Sequence, residues 1–121
     1  MAPGIARYTI LAFGVSSFIA GVRSLLRPSG ALASLGLPAA ALPAANGNAL
    51  AAVAMGVYYT LAVAQDNRPF FLATVPMRLV SALVFWRQGW VGVAAWEGGG
   101  AALTLLALAW DDARKPRGKM A

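Results

Sequence analysis

A chain of 121 residues has room for one domain, and at 60% hydrophobic residues with a mean hydropathy of +0.66 it is more apolar than an ordinary soluble domain. It contains neither histidine nor cysteine, which excludes disulfides, thiolate nucleophiles, Ser-His-Asp triads, histidine metal sites and the common axial ligands of haem. Four carboxylates, Asp66, Glu97, Asp111 and Asp112, stand against ten Lys and Arg for a net charge of +6; four of the ten fall in the last eight residues, after the last apolar run, where a basic tail meets anionic lipid and not nucleic acid.

The first apolar segment runs from Tyr8 to Leu26 between Arg7 and Arg27. Arg23 then sits near one interface, where its long stem lets the guanidinium snorkel. A secretory signal peptide is the competing reading, since Ala31-Leu32-Ala33 resembles a cleavage site. Two arginines, Arg23 and Arg27, separate the apolar core from that site, an unusually charged approach. The thirty-eight residues 28–65 carry no charge. Pro28, Gly30, Gly36, Pro38 and Pro43 punctuate the first half of this stretch, so residues 28–46 read as an apolar interfacial loop or a short re-entrant segment.

A second span follows over residues 48–65, with Asn46 as its N-cap. Ala52 and Gly56 are four apart, a small-xxx-small spacing that admits a neighbouring backbone, and Gly14, Phe18 and Gly21 offer a looser version on the first segment. Asp66 to Pro69 form a tight polar turn, with Pro69 suited to the first turn of the next helix. The third span, residues 69–87, contains Pro76, expected to kink it, and Arg78 two positions on. The fourth, residues 91–110, contains Glu97 followed by Gly98, Gly99 and Gly100, each weakening a helix by about 1 kcal/mol relative to alanine. Trp86, Trp90 and Trp110 mark segment ends as an aromatic belt would, whereas Trp96 lies inside, beside Glu97.

Four spans put both termini on one side. That side carries Arg7, Arg68, Arg114, Lys115, Arg117 and Lys119; the other carries Arg23, Arg27 and Arg87. The positive-inside rule therefore makes the termini cytosolic. Arg117 and Lys119 also have the look of a variant dibasic retrieval signal, which on a cytosolic tail favours the endoplasmic reticulum; a solvated basic tail is the plainer reading.

Charges inside apolar spans turn inward, to a partner or a cavity. Arg78 and Glu97 lie about 16 and 12 Å from the turn at Gly89, at 1.5 Å per residue, so an ion pair between the third and fourth spans is within reach. Two readings stay open. Either the pair fixes helix register, or each charge reaches an interface alone, and nothing binds; or the pair lines a cavity for a lipophilic molecule with one polar group. In the second reading Asn48, Tyr58, Tyr59 and Trp96 are the further ligand-binding candidates, and because Tyr58 and Tyr59 are adjacent only one points fully inward. If the protein is an enzyme, Glu97 and Arg78 are its catalytic residues: Glu97 the acid or base of a cofactor-free isomerisation or cyclisation, with Arg78 or a tyrosine stabilising developing charge. No metal or cofactor motif is present, and Gly98 to Gly100 are not a phosphate loop.

A first span ending in Arg27 and Pro28, a loop with Gly36-Leu37-Pro38, Asn46-Gly47-Asn48 opening a small-residue helix, an arginine-bearing third span and a fourth with Glu97-Gly98-Gly99 resemble small four-span membrane families of unknown function in fungi and bacteria, DoxX-like in layout. The likeness covers nearly the whole chain and brings no catalytic residues with it. The layout is also similar to the small scaffold family of ergosterol biosynthesis, which has four spans and an Asn-Gly before the second. Fungal proteins of this size and topology accompany pathways to lipophilic secondary metabolites, so the resemblance implies a biosynthetic role.

The sequence thus predicts an all-α integral membrane four-helix bundle: one membrane domain over residues 1–121, spans at 8–26, 48–65, 69–87 and 91–110, and a basic cytosolic tail at 111–121. The expected role is binding or acting on a lipophilic small molecule, in lipid or in terpenoid or polyketide biosynthesis. The alternative is a non-enzymatic scaffold for other membrane enzymes. Expected partners are membrane lipids, such a molecule, and membrane proteins or further copies of the chain.

Overall fold

The computed structural model describes residues 4–115. They form α1 (Ala6–Leu26), α2 (Pro28–Leu35), a 3₁₀ turn (Ala39–Ala41), α3 (Leu42–Ala64), α4 (Arg68–Arg87) and α5 (Val91–Ala113), with no strand among them. Four helical stretches are long and apolar enough to cross a membrane: α1, α3 together with the 3₁₀ turn, α4 and α5.

The largest departure from expectation lies between residues 28 and 46, which are helical for the most part and not an irregular loop. The residues read as breakers act as starts and stops. Pro28 and Pro43 occupy the first turns of α2 and α3, where a missing N–H costs nothing and the fixed φ suits a helix. Gly36, with φ +67°, closes α2: its N–H donates to Ala33 O and that of Leu37 to Leu32 O, the paired bonds of a Schellman turn. Asn46 is consequently no cap. It lies one turn inside α3, which starts at Leu42, five residues earlier than a cap at Asn46 would require.

Elsewhere the boundaries differ by less. Asn67 caps α4, its side chain accepting a hydrogen bond from Phe70 N at 3.1 Å, and Pro69 stands in the first turn as expected. Asp66 takes φ +51°, a left-handed conformation that aspartate tolerates better than most residues. α4 runs through Pro76 as one helix. α5 also persists through Gly98 to Gly100 and continues to Ala113, so Asp111 and Asp112 belong to its last turn and not to the tail. Arg117 and Lys119, with the retrieval signal and most of the basic tail, lie outside the described residues.

The chain divides into two compact units, and the division falls inside α1, after Ile10. In the first unit α4 and α5 form an antiparallel hairpin around a turn in which Gly89 has φ +87° and Trp90 N donates to Phe85 O at 2.9 Å. The Phe85 and Trp90 rings stack across this turn at 5.6 Å. The buried face of α4 is Phe71, Thr74, Val75 and Arg78; that of α5 is Ala94, Glu97, Ala101, Thr104, Ala107 and Leu108. Both follow the three-and-four spacing of a single helical stripe. The start of α1 lies antiparallel to α5: Thr9 Oγ1 is 2.8 Å from Thr104 Oγ1, and the backbone N–H groups of Ile5 and Ala6 donate to the Asp111 carboxylate at 2.9 and 3.0 Å. The first N–H groups of a helix have no partner within it. A carboxylate from the end of α5 supplies one and complements the positive end of the α1 dipole.

In the second unit the remainder of α1 packs antiparallel on α3 along a seam of small residues. A Cβ at Gly21 would fall 2.6 Å from Ala49 O, and one at Gly56 2.6 Å from the Phe18 Cβ and 2.7 Å from Gly14 O. Backbone touches backbone there, so glycine is required for space alone. Ser17 sits in the seam and donates to Ala52 O at 2.8 Å. Phe13 and Tyr59 close its far end with ring centroids 5.3 Å apart.

The outer faces are the inverse of a soluble protein. On α4, Leu72, Met77, Leu79, Val80, Leu83 and Val84 are exposed while Thr74 and Arg78 are buried. On α5, Leu103, Leu105 and Leu106 are exposed while Glu97 and Thr104 are buried. In water this distribution would be unfavourable on both counts, exposing large apolar side chains and burying polar ones.

Candidate functional site

Arg78 and Glu97 are the buried charged residues among the described residues, with 3% and 5% of their side chains exposed. Helical periodicity puts them there. Arg78 falls one turn beyond Thr74 and two beyond Phe71 on the face of α4 that meets α5. Glu97 falls between Ala94 and Ala101 on the opposing stripe. The tight turn at Gly89 sets the register in which the two face each other across the hairpin.

They meet as an ion pair, with Arg78 Nε 3.7 Å from Glu97 Oε2. That separation serves Coulomb attraction in a low-dielectric interior but exceeds hydrogen-bond length. Glu97 Oε2 is fully buried and accepts no hydrogen bond. The other polar side chains of the same stripes are satisfied: Thr74 Oγ1 donates to Phe71 O at 2.7 Å, and Thr104 shares its hydrogen with Thr9. A buried acceptor left without a donor costs about 1–3 kcal/mol, more when it is charged. Glu97 thus stands out from its neighbours.

Small residues surround the carboxylate. Ala94 and Ala101 flank it by one turn on either side, and Gly98 follows it on a face where a Cβ would lie 3.4 Å from the Ala82 Cβ. Within the glycine run after Glu97, Gly98 brings α5 close to α4, whereas Gly99 looks onto open space.

The other candidate residues lie elsewhere. Of the adjacent tyrosines, Tyr59 is the inward one, 7% exposed and packed on Phe13 in the second unit; Tyr58 is 60% exposed. Asn48 is exposed on α3. Trp96, one position before Glu97 on α5, is 38% exposed. The hairpin thus brings Arg78 and Glu97 together, while Asn48, Tyr58 and Tyr59 belong to the second unit.

Asp111 was read from the sequence only as the end of a span, yet it caps α1 across more than a hundred residues of chain. Asp112 pairs with Arg68 and, at 3.4 Å, with Lys115. No local pattern marks such long-range partners; an aspartate closing an apolar helix was the sole available sign. With Asp111 and Asp112 engaged at one end of the hairpin, Glu97 is the carboxylate buried inside it. Comparison of the chain with protein-family models, with curated proteins and with solved structures finds no match.

Proposed function

We propose that this chain is an integral membrane protein whose four long apolar helices each cross the bilayer, and that it binds a lipophilic small molecule at the Arg78–Glu97 pair. The membrane reading is supported by the inverted distribution of side chains, with leucine, valine and methionine outside and threonine, arginine and glutamate inside. Small and polar side chains between helices, large apolar ones outward, is the arrangement favoured where lipid is the solvent. The even number of crossings is supported by the Asp111 contact, which holds the end of α5 beside the start of α1. Arg68, Arg114 and Lys115 gather at that end, which favours its cytosolic placement.

The observation that carries the binding role is the buried Glu97 oxygen that accepts no hydrogen bond, in the half of α5 nearer the turn of a hairpin of bilayer length. A purely structural pair would gain by closing to hydrogen-bond distance. A pair held at 3.7 Å with an acceptor to spare is suited to a third polar group. If a reaction follows binding, Glu97 is its acid or base, and a cofactor-free isomerisation or cyclisation of a lipid, terpenoid or polyketide is the class it can serve.

The test is purification in mild detergent from the native membrane, followed by organic extraction and mass spectrometry. The wild-type protein is expected to carry a lipophile enriched over bulk lipid, and the double variant Arg78→Leu with Glu97→Leu, which leaves no charge buried alone, to accumulate without it. A wild-type extract indistinguishable from bulk lipid would refute the binding role. Variants that fail to accumulate, with no ligand in the wild type, would point to a scaffold held in register by the pair.

A further inference from the structure

We infer that the molecule bound at Arg78 and Glu97 is a neutral lipid alcohol, held by donation of its hydroxyl hydrogen to Glu97 Oε2. This rests on the binding role proposed above and goes beyond it by naming the polar group. Glu97 Oε2 is buried without a hydrogen bond, and a carboxylate oxygen accepts and cannot donate. A group bonded to that oxygen must therefore bring an O–H or N–H.

Charge narrows the choice. Arg78 already neutralises Glu97 across 3.7 Å, and both side chains are at least nine-tenths buried. A fatty acid would bring a second anion against Glu97, and a lipid amine a second cation against Arg78. Either leaves an unbalanced charge in a low-dielectric site, a penalty of several kcal/mol. A hydroxyl adds no charge and supplies the missing donor.

The experiment uses the full-length protein in lipid nanodiscs with four photoreactive probes that share one alkyl-diazirine chain of sixteen carbons: the alcohol, its methyl ether, the carboxylic acid and the primary amine. Labelling is mapped to peptides of α4 and α5. The alcohol is expected to label at least tenfold more than the ether, and more than the acid or the amine. Ether labelling equal to the alcohol would overturn the inference, because no donor would then be needed. Preference for the acid or the amine would overturn it too, in favour of a charged lipid, while leaving a binding site in place. Labelling of α4 and α5 by none of the four would refute the binding role itself. A double variant, Arg78→Leu with Glu97→Leu, removes both charges without leaving one buried alone. It is expected to stay folded and to bring the ratio of alcohol to ether labelling to about one, whereas an unchanged ratio would count against the site.

Discussion

The two units answer one problem in different ways. In the membrane setting proposed above there is no hydrophobic drive between apolar helices, so contact must come from close packing or from polar attraction. Between α1 and α3 the answer is space: Gly14, Gly21 and Gly56 remove side chains so that backbones touch, and the buried Ser17 hydroxyl is bonded to Ala52 O. Between α4 and α5 the answer is polarity: Thr74, Arg78, Glu97 and Thr104 line the buried stripe. A seam filled by backbone has no atom left over for a ligand. A polar stripe with an unsatisfied acceptor does, which is why the proposed binding site lies in the hairpin and not in the seam.

The comparison breaks most visibly at the charges. Arg78→Ala leaves Glu97 buried without its counter-charge and is expected to destabilise the protein by about 3–5 kcal/mol. The double leucine variant should recover most of that loss, both measured by thermal or denaturant unfolding in detergent. If the single and double variants unfold alike, the pair is not the centre of the hairpin.

Crowding of the seam comes next. Gly21→Leu places a side chain against Ala49 O and Val53 and should cost about 3 kcal/mol, with Gly21→Ala smaller but in the same direction. Gly99→Ala, where a Cβ meets open space, should be neutral or stabilising by up to about 1 kcal/mol because alanine is the better helix former. Opposite signs at these two glycines would show that space, and not glycine content, holds α1 to α3.

Smaller effects are expected at the end of the hairpin. Asp111→Ala removes the acceptor for Ile5 and Ala6 N–H and should cost about 1 kcal/mol. Hydrogen exchange should rise at those two amides before it rises elsewhere. Arg68→Ala breaks a pair with Asp112 whose side chains are 31% and 58% exposed, so its effect should fall within about 1 kcal/mol and shrink as salt is added.

Much of this architecture is written in local patterns. Long uncharged runs bounded by arginine and tryptophan identify four helices without reference to any partner, because every backbone group in an apolar medium must bond within its own helix. The placing of Arg78 and Glu97 at similar depths on either side of Gly89 was likewise legible, since rise per residue and turn position are enough to bring them level. The stretch from Pro28 to Asn46 was misjudged for a physical reason: a proline breaks a helix from within but begins one from its first turn, and composition does not say which position it holds.

The remainder depended on three-dimensional packing. Which of Tyr58 and Tyr59 is buried, that Gly14, Gly21 and Gly56 share one seam, and that Asp111 reaches the first turn of α1 all depend on how helices distant in sequence rotate and meet. Helical periodicity states which residues share a face, but no local rule states what that face will touch. Likewise, the 3.7 Å between Arg78 and Glu97 is a property of the folded hairpin, and with it the unbonded acceptor on which the proposed binding role rests.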